Sequence, residues 1–258
     1  MSRYRIHAFN IAFWIFALLL NGGPAHASGR VALVIGNGAY KLVPKLASPQ
    51  DDAHAVAALL KSIGFDVVEG TDLTRDRMAG LLLNFGRKAD GADLAIFYYA
   101  GQGIAVEATN YILPIDADIR TLADIKLGAA INMEDALEET MASAKVKLVL
   151  LDASRTDPFA SAGEPQVKAR AGLAEMKSAD GTLIAYASGP GQPALDGIKG
   201  GRSPFTQALL DNIAQPGIEI QEAMTLVRAE VAERTNSRQM PWGNSNLAGR
   251  IYLNPKAP

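Results

Sequence analysis

The sequence predicts an α/β domain: a mainly parallel central sheet of about six strands with helices on both faces. Three observations predict it. Apolar runs of strand length alternate with stretches of helical periodicity along most of the chain. The first run, Val31 to Ile35, is apolar at every position and ends in glycine, as a strand buried on both faces requires. At 258 residues, 48% apolar and 20% charged, the chain is long enough to bury a sizeable core.

The first 27 residues read as a secretory signal. Arg3 and Arg5 give a positive start, and Ile11 to Leu20 an apolar stretch shorter than the about 20 residues that span a bilayer. Ala25, His26 and Ala27 fit a small-residue cleavage pattern. The expected product, residues 28–258, is one secreted, periplasmic domain, with a membrane involved only if the signal stays uncleaved. Cleavage removes two arginines and no acid, so the formal charge moves from −2 to −4 and nucleic acid is not an expected partner.

In the domain, Ser48 stands as an N-cap before Pro49, and Ala53, Val56, Ala57, Leu60 and Ile63 form the apolar stripe of a first helix stopped by Gly64. "FDVVEG" follows as a strand, "TRDRMAGLLLNFGRKAD" as a helix and "LAIFYYA" as a third strand. "IAVEATNYIL" reads as a small hairpin, and Asn132 caps the helix "MEDALEETMASA". "VKLVLLDAS" is a fourth strand, Arg155 to Asp180 a long polar loop, and "GTLIAYAS" a fifth strand. Two helices, "SPFTQALLDNIA" and "EIQEAMTLVRAEVAERT", precede a closing strand, "GRIYLN".

Chemistry in parallel α/β sheets sits at the carboxyl ends of the strands. Two ends stand out here, "YYAGQG" and "LLDASR". The chain has no cysteine, so it holds no disulfide, thiolate nucleophile or thiolate-ligated metal. Of its three histidines, His7 and His26 fall in the signal, leaving His54.

From Val31 to Leu253 the chain resembles the caspase-like cysteine peptidases, in particular the bacterial metacaspase-like (orthocaspase) branch. The resemblance rests on "ALVIGNGAY", "DDAHAVAALLKSIGF", "FYYAGQG", "NYILPIDAD", "LVLLDASRTDPF", "GTLIAYASGPGQPALDG", "SPFTQALL" and "RQMPWGNSNLAG", in family order. It implies the caspase-like fold. It also implies a Gly-His-Gly at the end of the third strand and a cysteine after the fourth. Gln102 stands at the histidine position and Ser154 at the cysteine position, 52 residues on, against a family spacing of about 50. The resemblance further makes Asp52 and Asp152 the lining of a pocket for arginine or lysine, with Ala100 at its edge where metacaspases often carry serine. Gly101 and Gly103 become a turn whose amides hold an oxyanion, or a tight turn alone. Lys168 and Arg170 lie where relatives are processed, or form a solvated basic patch.

Both catalytic positions are thus replaced. An amide is neither acid nor base near neutrality, and a serine hydroxyl needs an adjacent base. Losing triad members in serine proteases costs on the order of 10⁴ to 10⁶ in rate. His54 follows Asp52 by two residues, which turns it away by about 200° on a helix.

The expected protein is therefore a pseudopeptidase that holds peptides or partner proteins carrying a basic side chain, including an active caspase-like homologue. No cofactor and no metal is expected. The alternative is an endopeptidase cleaving after Arg or Lys with Ser154 as nucleophile. A third reading places a nucleotide at Gly36 to Gly38, although the remaining glycine of a dinucleotide fingerprint is missing, with Leu42 and Val43 nearby instead.

Overall fold

The computed structural model describes residues 29–153, 172–197 and 200–256. The signal segment, Ser154, Lys168 and Arg170 lie outside the described residues. In chain order the main elements are β1 (Arg30–Gly36), α1 (Pro49–Ser62), β2 (Asp66–Thr71), α2 (Arg75–Ala89), β3 (Leu94–Ala100), β4 (Gly103–Val106), β5 (Thr109–Ile112), β6 (Ile131–Asn132), α3 (Met133–Met141), β7 (Val146–Asp152), β8 (Thr182–Tyr186), α4 (Pro204–Asn212), α5 (Ile220–Arg234) and β9 (Trp242–Ser245), with short helical turns over Leu122–Asp124 and Ile125–Ala129 between β5 and β6. The central sheet runs β2-β1-β3-β7-β8-β9, and β4-β5-β6 form a small second sheet. Every neighbouring pair of the central sheet is parallel except β8 and β9.

The period-2 alternation of the strands sorts the core into two layers. On one face Ala32 and Val34 of β1, Ile96 and Tyr98 of β3, and Leu148 and Leu150 of β7 pack beneath α1, α4 and α5. On the other, Leu33 and Ile35, Phe97 and Tyr99, and Val149 and Leu151 pack beneath α2 and α3. Nearly every one of these side chains is fully buried, the larger aliphatic ones each contributing about 1.5–3 kcal/mol of transfer free energy. That double burial is why β1 and β3 read as unbroken apolar runs.

Asn132 caps α3 as its sequence position indicates, its side chain accepting from the amides of Glu134 and Asp135. Two expectations are corrected. "GRIYLN" forms no strand. Its Ile251 and Leu253 pack into the α1-α4-α5 layer, and the Ile251 carbonyl accepts from the Ile220 amide. The sheet is closed instead by β9, antiparallel to β8. Ser48 precedes α1, but its hydroxyl caps no helix amide; it is turned into a cluster of carboxylates. The expected hairpin is present as β4 and β5, turned by Glu107 and Ala108, both at positive φ.

Candidate functional site

β3 and β7 run in register, so Ala100 lies beside Asp152 at the carboxyl edge of the sheet. The chain beyond β3 turns immediately into β4 through Gly101, Gln102 and Gly103. Both glycines are required by close approach. A Cβ on Gly101 would stand 2.6 Å from the Tyr99 hydroxyl, and one on Gly103 would stand 2.6 Å from the Ala153 carbonyl oxygen. The Gly101 amide donates to the Asp152 carbonyl at 3.3 Å, so it is committed to the strand junction rather than to an oxyanion.

Gln102 is built into this junction. Its amide donates to the Tyr40 hydroxyl at 2.7 Å, and its carbonyl accepts from the Tyr99 hydroxyl at 2.9 Å and the Leu113 amide at 3.1 Å. Its side-chain Nε2 donates to the Pro44 carbonyl at 3.1 Å. The side chain is 2% exposed, and Oε1 is buried without a hydrogen-bond partner. A buried acceptor left unmade costs about 1–3 kcal/mol. An amide held this way fastens the Tyr40–Leu46 segment to the end of β3; it cannot carry a proton between substrate and nucleophile.

Beneath the strand ends lies an acidic cluster. Leu148, Leu150 and Asp152 share one face of β7, which carries the Asp152 carboxylate toward the start of α4. There it accepts from the Ser203 hydroxyl and, at 3.0 Å, from the Thr206 hydroxyl. Ser203 also caps α4, accepting from the Thr206 amide at 2.9 Å. Its own amide donates to Asp52 Oδ1 at 3.0 Å. Asp52, in the first turn of α1, and Asp152 are therefore bridged by a single residue, and both are fully buried. Helix N-termini favour anions, which helps hold the two acids there.

A third acid completes the cluster, and sequence reasoning missed it. Asp196 accepts from the Ala47 amide at 2.6 Å and stands 2.8 Å from the Ser48 hydroxyl, which is itself 2.6 Å from Asp52 Oδ2. Ser48 has one hydroxyl hydrogen and two carboxylate oxygens in range, so it can donate to only one. Three carboxylates so placed make a site where a guanidinium or ammonium is favoured. The available sequence signal was the single acid in "GPGQPALDG", a Gly- and Pro-rich loop without periodicity.

The remaining expectations divide. His54 is exposed, with Nδ1 2.6 Å from Glu69 on β2, and does not join Gln102. Burial pushes the Glu69 carboxyl up, but the hydrogen bonds from Lys61 and His54 hold it below its ordinary range. Ala100 is fully buried in the core layer. The Gly36 to Gly38 turn offers no phosphate cradle, because the Gly38 and Ala39 amides donate to the Asp72 carboxylate at 3.0 and 2.8 Å.

Comparison with known proteins agrees with this frame. The chain matches the human mucosa-associated lymphoid tissue lymphoma translocation protein 1 (Homo sapiens) at 35% identity over 91 residues, which is 35% of this chain and 11% of that protein. It matches the mouse homolog (Mus musculus) at 35% over 95 residues, 37% of this chain and 11% of that protein. The chain thus spans only a small part of the length of these relatives. The caspase-domain family model matches residues 29–252, the whole span from β1 to the segment beyond β9. With that span, the two-layered six-stranded sheet and the paired ends of β3 and β7, the chain belongs to the caspase-domain family.

Proposed function

We propose that this caspase domain binds a peptide segment carrying an arginine or lysine side chain and does not cleave it. One observation carries the reading. The acidic cluster of Asp52, Asp152 and Asp196 is intact, while the position that should move protons is an amide tied to Pro44. The domain would then capture a basic segment of a partner protein, an active caspase-like homologue among them, in an exported setting suggested by the first 27 residues.

Calorimetric titration with an arginine-containing hexapeptide and its citrulline counterpart tests the binding. Charge-assisted hydrogen bonds to buried carboxylates are worth about 1.5–3 kcal/mol, so the arginine peptide should bind about 10- to 100-fold tighter. Asp152→Asn should remove most of that preference. Equal affinity for the two peptides, or a preference untouched by Asp152→Asn in a folded protein, refutes the basic-pocket reading.

A further inference from the structure

A concavity lies away from the strand ends. A cavity of about 310 Å³ opens between α5 and the β8–β9 edge. The sequence of β9 makes it. Trp242 packs on the Tyr186 ring at 5.5 Å between centroids, and Asn244 donates to the Met176 carbonyl at 2.8 Å. Both side chains lie on the α2-α3 side of the sheet. By alternation, Gly243 and Ser245 present the other face, and residues this small leave a gutter beside α5.

The helix side of the gutter is the stripe Gln221, Met224, Thr225 and Arg228, spaced i, i+3, i+4 and i+7. Leu183, Ala185, Phe205 and Met224 give it an apolar lining. Arg228 is the only ionisable side chain in that lining. Among the described residues it makes no ion pair, unlike Arg234 of the same helix, which pairs with Glu230 and Asp211. An apolar trough with one uncompensated guanidinium at its rim has the complementarity of an amphipathic anion.

We propose that this gutter binds a small carboxylate with an apolar body, the carboxylate on Arg228 and the body against Met224 and Phe205. A cavity of that volume admits a molecule of about ten heavy atoms, such as a medium-chain or aryl carboxylate. The site is independent of the acidic cluster and attracts the opposite charge.

Octanoate and its neutral isostere octanamide are the probes, titrated calorimetrically into the full chain. Octanoate should bind one-to-one with a dissociation constant at or below about 1 mM, about tenfold tighter than octanamide. Arg228→Gln should bring the two within about twofold of each other, and Met224→Trp, which fills the trough, should abolish both. A thermal melt verifies that each variant is folded; should Met224→Trp unfold, Thr225→Trp on the same stripe takes its place. Absence of saturable octanoate binding, equal affinity of the two probes in the unaltered chain, or binding that survives a folded trough-filling variant overturns the proposal.

Discussion

Replacing Gln102 by glutamate changes one side-chain atom and should turn the stability of the domain into a function of pH. The side chain is 2% exposed, and Nε2 donates to the Pro44 carbonyl at 3.1 Å. A glutamate in the same rotamer places an acceptor against that carbonyl, so only the protonated acid can restore the bond. Buried carboxyls rise by up to 3–5 pKa units, and each unit is worth about 1.4 kcal/mol. With a rise of about 3 units from an unfolded value near 4.3, the folded carboxyl titrates near 7. The variant should then match the parent below about pH 4 and lose stability as pH rises, by about 4 kcal/mol at pH 8, because the folded state holds its proton where the unfolded state has released it. Urea denaturation from pH 4 to pH 8, with Gln102→Met as the uncharged control, measures it. A Gln102→Glu deficit that is flat with pH, or below about 1 kcal/mol at pH 8, would show that the amide is not sealed against Pro44.

Three further outcomes follow from the same geometry. Gly103→Ala should destabilise by a few kcal/mol, since its Cβ meets the Ala153 carbonyl oxygen at 2.6 Å; a change under about 0.5 kcal/mol in chemical denaturation would mean the turn relaxes freely. Asn110→Ala should cost about 2–4 kcal/mol, because the fully buried Asn110 clamps both the amide and the carbonyl of Ala174, at 2.8 and 2.9 Å; hydrogen exchange should rise first across residues 173–176 and leave the amides of β3 protected. Burial pushes the Glu134 carboxyl above its ordinary range, against the bonds it accepts from its own amide and Asn110 and with the help of Asp135. Its contribution to stability is therefore greatest in acid and falls as pH rises through the elevated value, and Glu134→Gln should flatten that part of the stability–pH curve.

The core layers were legible because β1 and β3 are apolar on both faces, a signal that survives without tertiary information. The cap at Asn132 was legible for the same local reason. β9 was not: Trp-Gly-Asn-Ser has little strand propensity, and only its ladder with β8 makes it a strand. The Ile-Tyr-Leu of 251–253 has that propensity, yet its apolar side chains are spent on the α1-α4-α5 layer. In the candidate site, Asp52 and Asp152 sit on periodic elements and could be placed from sequence, whereas Asp196 lies in an irregular loop and joins them through Ser48, 148 residues away in the chain. Ser48 carried a helix-start pattern, but its hydroxyl faces the Asp52 and Asp196 carboxylates and accepts from the Gly197 amide at 3.2 Å rather than from a helix amide. The buried oxygen of Gln102 has no sequence signal at all.

The question of cleavage is answered most directly by intact-mass spectrometry of the purified chain mixed with a peptide containing an internal arginine. An amide at position 102 predicts that both masses stay unchanged over long incubation. An acyl adduct on Ser154, or peptide cut after arginine by the parent protein but not by Ser154→Ala, would contradict it.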